Sequence, residues 1–251
     1  MSVINEIDAV QSTKISIAFE DDFQEKFEKR NTFTAKTRLS PESPYPNSAR
    51  QEMLRFVPHT VRTVLDVGCH MGGFGKAIKQ ATGAEVWGVE PNPETAKVAS
   101  QVLDQVFDGL FSEDLPIPEQ YFDAITFNDV LEHMPDPWAA IKTAAKKLKK
   151  DGVIVVSIPN LRHIENLMHI IKDKDFQYES AGIRDKTHLR FFTKKSAPRL
   201  FEGSGLEISM IQGINEDWWR PALLRRLAFR FFFKNLEDTR FIQFAIVARR
   251  I

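Results

Sequence analysis

A single cysteine, Cys69, is all the thiol chemistry in this 251-residue chain. That excludes an intramolecular disulfide and any multi-cysteine zinc site, and it suits a reducing compartment. Charge of one sign is equally lacking. Thirty-four basic residues balance thirty-four acidic ones, so no global electrostatic grip on nucleic acid or anionic lipid is available and any such contact must be a local patch. No apolar run approaches the roughly 20 residues of a membrane-spanning helix, and the opening MSVINEIDAV lacks the basic start and apolar core of a secretion signal. There is no internal repeat and no low-complexity tract. These absences lead us to expect a cytoplasmic protein without a nucleic-acid partner. With 43% hydrophobic and 27% charged residues, the chain has the mix of a globular protein, expected here as one α/β domain with decorations.

Residues 1–60 are polar and irregular, apart from Phe19, Phe23 and Phe27, whose spacing of four puts three rings on one face of a short helix. We expect an N-terminal helical arm over 1–60 and a main domain over 61–251, with insertions near 160–192 and 215–239. From Arg62 strands alternate with helical stretches, a pattern that predicts a parallel sheet covered on both faces. Strands are expected at 62–67, 85–89, 122–127 and 152–158, each a short apolar run bounded by Gly, Asp or Pro. Before the fourth, Asp136 is an N-cap with Pro137 in the first turn. Trp138, Ile141, Ala145 and Leu148 form the expected buried stripe, and four lysines (146, 147, 149, 150) close the helix. A further helix is expected after Asn160 with Leu161, Ile164, Met168 and Ile171 on one face. Residues 173–192 have no period, as in lids and binding loops. A helix within 193–203 and closing strands at 206–214 and 240–249 complete the reading.

Three stretches carry chemistry. In VLDVGCHMGGFG, 64–75, an apolar strand ends near Asp66 and glycines follow as a helix begins, so a ligand can approach the backbone where a Cβ would collide. The spacing excludes the dinucleotide fingerprint G-x-G-x-x-G, and Asp66 would repel a pyrophosphate; a carboxylate there suits a cationic ligand. Twenty-four residues on, VWGVEPN ends a strand in Glu90, an acid able to accept both hydroxyls of a ribose. In YFDAITFNDVLEHMPDPW, 121–138, Asn128, Asp129, Glu132 and His133 gather beyond a strand's carboxyl end, where open parallel sheets bind ligands. A mere capping cluster is the alternative. SIPNLRH, 157–163, precedes YESAGIRDKTHLRFFT, 178–193, which packs Asp185, Thr187, His188 and Arg190 into one aperiodic loop.

With these motifs the chain resembles the class I S-adenosylmethionine-dependent methyltransferases, whose first motif reads close to LDVGCGxGxxG. The resemblance implies a doubly wound, mostly parallel seven-stranded sheet of Rossmann-like type and S-adenosylmethionine as cofactor. It also implies a cofactor-binding set of Asp66, Gly68, Cys69, His70, Gly72, Glu90, Pro91, Asn128 and Asp129. His70 replaces the usual second glycine, from which we expect altered loop geometry with binding retained. VFDGLF, 106–111, corresponds roughly to the loop beside the adenine. The strings NDVLEH, IPN and GI-D-THLRFFT further resemble a branch found beside glycosyltransferases in bacterial surface-polysaccharide clusters, which implies a sugar or glycan hydroxyl as acceptor.

An alcohol is a weak nucleophile at neutral pH, so a general base is useful, and histidine titrates nearby. His133 and His188, with Asp185, are the candidate catalytic residues; His59, His163 and His169 have less to recommend them. A metal reading stands beside this one. Asp129, Glu132, His133 and His188 could supply two carboxylates and two imidazoles to Mn or Mg, as similar strings do in ubiquinone-pathway and small-RNA terminal O-methyltransferases, although no metal ligand is part of the main assignment. The main expectation is therefore a sugar O-methyltransferase. The alternatives are a metal-assisted O-methyltransferase of a small aromatic or quinone-like substrate and a non-catalytic cofactor-binding regulator. Finally, 218–236 (WWRPALLRRLAFRFFFKNL) has five basic residues and no acidic one. It is expected to fold over the site, or alternatively to dock peripherally on an anionic membrane at the inner face.

Overall fold

The computed structural model describes residues 49–216 and 234–251. Phe19, Phe23 and Phe27 lie outside the described residues, as does 217–233, which holds most of the basic aromatic stretch. Seven strands form one sheet in the order β3-β2-β1-β4-β5-β7-β6. They are β1 (Thr63–Val67), β2 (Glu85–Glu90), β3 (Gln105–Asp108), β4 (Phe122–Asn128), β5 (Leu148–Pro159), β6 (Leu206–Glu216) and β7 (Phe241–Arg250). The first five run parallel, and β7 inserts antiparallel between β5 and β6. The chain winds outward in one direction from β1 and then reverses to β4, so the switch point of the sheet lies between these two strands. The expected doubly wound, mostly parallel seven-stranded sheet is present.

Period two explains why both faces of the sheet are covered. Val64, Val86, Ala124, Val153 and Val155 belong to one core. Their neighbours Leu65, Val67, Ile125, Ile154 and Val156 belong to the other. Alternate side chains of a strand point to opposite faces, so strands this apolar need a layer on each side. The first core takes α1 (Gln51–Leu54, through Met53), Phe56, Val57 and α2 (Gly73–Thr82, through Phe74 and Ile78). Ala99, at the end of α3 (Pro93–Ala99), joins it. The second takes α4 (Pro137–Lys147) through Ala140, Ile141 and Ala144, with Ala197, Leu200 and Phe201.

Several local expectations change. Asp136 does cap α4, its Oδ1 accepting from Ala139 N at 2.9 Å, but Trp138 is exposed and the buried face runs through Ala140, Ile141 and Ala144. Trp138 follows the N-cap by two residues, before the apolar period has turned inward. Lys149 and Lys150 belong to β5, and Lys147 is buried with its Nζ donating to Ile117 O. The short β3 comprises QVFD, its last three residues within the 106–111 stretch expected as a loop; two exposed and two half-buried residues carry too little apolar pattern to announce a strand. After Asn160 the α-helical turn α5 spans only Ile164–Met168 and gives way to a π-helical turn at His169–Asp173. Ile171 there is 71% exposed, so the expected apolar face is not a buried one. The helix expected within 193–203 is a 3₁₀ run, Ala197–Phe201. No helix of the described residues is long and apolar enough to cross a membrane.

Candidate active site

The loop after β1 wraps the tip of β2. Gly68 N and Cys69 N both donate to Val89 O, at 2.8 and 3.1 Å, and His70 N donates to Glu90 Oε2 at 2.8 Å. Glu90 Oε1 accepts from Asn92 N and Thr95 Oγ1, both at 3.1 Å. Glu90 therefore organises the loop before any ligand arrives. Gly68 and Gly72 have φ of 71° and 79°, and His70 has φ of 49°. His70 thus adopts a left-handed backbone, which a glycine would take without strain. The histidine accepts a backbone penalty of about 1 kcal/mol, which its hydrogen bond to Glu90 offsets. A Cβ on Gly68 would stand 2.4 Å from Val130 Cγ2 and one on Gly72 2.7 Å from Val102 Cγ2. These glycines thus make room for neighbouring side chains of the protein itself. The Cys69 side chain packs into the first core, beside Gly88, and burial pushes its thiol up, so only its backbone faces the loop. Pro91 is exposed.

Asp66 pairs in register with Thr126 across the switch point, and Thr126 Oγ1 donates to Asp66 Oδ1 at 2.6 Å. Burial is the main reason its carboxyl is pushed up to about 7; the Thr126 hydroxyl works against this and the nearby Glu90 charge with it. At the tip of β4, Asn128 keeps both amide atoms away from solvent without a hydrogen bond among the described residues, as a group awaiting a ligand would. Asp129 (φ 54°) is held by Ser157 Oγ at 2.9 Å, by Gln243 Nε2 and by Arg50 Nη1, whose Nη2 also reaches Ser157 Oγ at 3.1 Å. Arg50 was not legible in the sequence. It sits in the polar segment before β1 and meets Asp129 across 79 positions, and no periodic signal marks it.

His133 and His188 come together edge to face, with ring centroids 4.6 Å apart. The loop carrying His188 docks on the turn carrying His133 because Leu189 N and Arg190 N both donate to Glu132 O, at 2.8 and 3.0 Å. Hydrogen-bond chemistry then fixes both tautomers. His188 Nδ1 lies 3.1 Å from Ile183 O, and His133 Nδ1 lies 3.3 Å from Thr187 O and 3.0 Å from Thr187 Oγ1. A carbonyl only accepts, so each Nδ1 carries a proton. Thr187 Oγ1 donates in turn to Asp185 Oδ1 at 2.7 Å, and Thr187 N donates to the same oxygen. Asp185 therefore acts on His133 through Thr187.

Glu132 is 1% exposed, and neither side-chain oxygen finds a hydrogen-bond donor among the described residues. His188 Nε2 stands 3.9 Å from its Oε1. Burial, then the charge of Asp129, push Glu132 well above the usual carboxylate range, while burial and the neighbouring His133 hold His188 below its ordinary value. One ligand atom from each of Glu132, His133 and His188 lies within 4.8 Å of the others. A buried carboxyl group without a hydrogen-bond donor, converging with two imidazoles, is a set that fits a divalent cation. Asp129, expected as a fourth ligand, is engaged by Arg50 and Gln243. Of the other histidines, His169 pairs with Asp173 at 2.9 Å, His163 is buried and His59 is exposed.

A family model described as a methyltransferase domain matches residues 26–210. Ubiquinone biosynthesis O-methyltransferase of Neisseria meningitidis serogroup A is 27% identical over 160 residues, 61% of this chain and 67% of that protein. The protein of the same name from Psychrobacter arcticus is 35% identical over 162 residues, 61% of this chain and 62% of that one. Among solved structures, a SAM-dependent methyltransferase from Archaeoglobus fulgidus superposes with a TM-score of 0.60 at 20% identity, covering 88% of this chain and 99% of that one. An S-adenosylmethionine-dependent methyltransferase from Mesorhizobium loti gives 0.54 at 20% identity, covering 81% and 98%. At such identities the structural likeness concerns the fold.

Proposed function

The chain belongs to the methyltransferase domain family and is an S-adenosylmethionine-dependent methyltransferase; from that premise we propose that it methylates a hydroxyl of a small phenolic, quinone-like acceptor with the help of a divalent cation. The observation that carries this reading is the buried, donorless Glu132 carboxylate beside two histidines whose Nδ1 protons are already committed elsewhere. Two matched relatives are named for ubiquinone biosynthesis. That name favours an aromatic hydroxyl over the sugar or glycan hydroxyl that the THLRFFT resemblance implied, and nothing in the comparisons supports a polysaccharide role.

S-adenosylmethionine supplies an electrophilic methyl group, and in-line transfer then depends mainly on alignment, which can contribute roughly 7 to 11 kcal/mol. On the cofactor side, we assign Glu90 to the ribose hydroxyls, with one acceptor site still open on Oε2 beyond its loop contacts. Asp66 favours the cationic end, the backbone at Gly68, His70 and Gly72 cradles the amino-acid half, and the Asn128 amide gains partners it otherwise lacks. On the acceptor side, Glu132, His133 and His188 would hold the cation, with Mn²⁺ preferred over Mg²⁺ because two of three ligands are imidazoles. A divalent cation supplies Lewis acidity that makes a neighbouring phenol more acidic. Thr187 and the Ile183 carbonyl fix the orientation of the two rings.

Chelation tests the reading. After EDTA treatment and removal of the chelator, turnover on catechol should fall at least tenfold and return with Mn²⁺. Full turnover by metal-free protein, abolished by His188→Ala or His133→Ala, would instead establish a histidine base.

A further inference from the structure

The rings of the site do not stop at His188. Phe191 lies 6.2 Å from it, Phe176 lies 5.6 Å from Phe191, and Tyr178 lies 5.4 Å from Phe176, all close to edge-on. With His133 this makes an unbroken row of five rings from the Glu132 cluster to the surface. At its outer end Tyr178 is 56% exposed, and Leu189, on the strand of chain between His188 and Phe191, is 49% exposed.

The segment that presents them is braced. Arg184 is buried, its Nε donating to Gln177 O at 3.1 Å and its Nη2 pairing with Glu179. Glu179 N donates to Arg184 O, and Lys186 N donates to Glu179 O, both at 2.9 Å. Stapling the loop requires only the inner rings, so it does not account for the exposed Tyr178 and Leu189. A row of rings that is half-buried at Phe191 and Phe176 and exposed at Tyr178, on an ordered frame, has met its ordering cost in advance, as binding surfaces do. Arg190 is turned away from a ligand, its guanidinium donating to Leu189 O and Pro135 O. The face therefore suits a neutral flat ring better than an anionic acceptor.

We propose that Phe191, Phe176 and Tyr178 form an aromatic acceptor subsite along which a flat phenolic ring binds on its way to the Glu132, His133 and His188 cluster. This rests on the small-phenol reading above and names the residues that determine acceptor specificity. Aromatic pairs contribute about 0.5 to 1.5 kcal/mol beyond the area they cover, and loss of an exposed wall residue also removes buried apolar area. Catechol is the probe, with the full chain saturated with S-adenosylhomocysteine for binding and with S-adenosylmethionine for turnover. Tyr178→Ala should weaken catechol binding about fivefold or more, raise KM by more than it lowers kcat, and leave S-adenosylhomocysteine affinity unchanged. Tyr178→Phe should recover most of the loss, because the ring and not the hydroxyl does the holding. Leu189→Ala, exposed and safe for folding, should weaken binding by a smaller factor.

The outcomes separate the two readings. Catechol that binds in a Tyr178-dependent way without being methylated supports the subsite and refutes small-phenol methylation. Catechol methylated with the same KM by wild type, Tyr178→Ala and Leu189→Ala refutes the subsite and leaves the methylation reading standing. No catechol binding by the wild type overturns the subsite, as does methyl glucoside competing for the face while catechol does not.

Discussion

Cofactor affinity should fall as the medium is acidified from pH 8 to pH 5.5, with Asp66 as the titrating group. Its carboxyl is buried beside Glu90 and titrates at about 7 in the ligand-free protein. If the cationic end of the cofactor is held by the carboxylate, binding must remove the proton wherever it is present. At pH 6 about one molecule in eleven is already ionised, so binding there costs about 1.4 kcal/mol more than at high pH, roughly a tenfold weaker Kd. The slope approaches one decade per pH unit below 7 and vanishes above 8. Asp66→Asn should flatten the profile and hold Kd near or above the wild-type value at low pH. The same shift has a stability consequence whose sign is opposite to that of a paired carboxylate. The folded pKa lies above the unfolded one near 4, so the group stabilises the fold below about pH 4, and this contribution is lost as pH rises to about 7. Asp66→Asn should therefore gain stability relative to wild type in the ligand-free protein as pH rises across that window. Calorimetric titration with S-adenosylhomocysteine at six pH values, together with urea unfolding, reads both. A wild-type affinity that is constant across this range would refute the assignment of Asp66 to the cationic end.

Gly68→Ala places a Cβ 2.4 Å from Val130 Cγ2 at a φ of 71°, so it should cost about 2 to 4 kcal/mol in urea unfolding; adding Val130→Ala should restore the steric part and leave about 1 kcal/mol of backbone strain. Thr187→Val removes the nearer of the two acceptors of the His133 proton, its hydroxyl at 3.0 Å, and leaves the backbone carbonyl at 3.3 Å, so Mn²⁺ affinity by calorimetry should drop by about tenfold, whereas Thr187→Ser should stay close to wild type; equal affinities for all three proteins would discard the positioning role of the Thr187 hydroxyl. Asn160 is fully buried and donates to Asp238 O and Phe241 O while accepting from Arg162 N. Asn160→Ala should therefore cost about 2 to 4 kcal/mol, a loss to be read as a shift in urea midpoint at constant m. His70→Gly removes a strained side chain and adds unfolded-state entropy, two effects of about 1 kcal/mol that oppose each other, so stability should change little.

Local periodicity and short-range motif were enough for much of the fold. The strands at 63–67, 85–90 and 122–128 follow from apolar runs closed by Asp, Glu or Asn, and the Gly-rich stretch after Asp66 marks the turn into the helix Gly73–Thr82. The cofactor class was legible for the same reason, because its motif lies within one strand, loop and helix. The candidate site needed the folded chain. That Glu132, His133 and His188 meet while Asp129 turns to Arg50, Ser157 and Gln243 depends on the 185–190 loop docking on the 131–133 turn, more than fifty positions away. Arg50 carried no signal because its partner is distant and its own neighbourhood is polar. Ile171 matched an apolar helical face but stands exposed, since periodicity tells which residues share a face and not whether anything covers it. Convergence of side chains from separate loops is fixed by how the sheet orders its strands, and β7 entering between β5 and β6 is a pairing over long sequence distances that no local window contains.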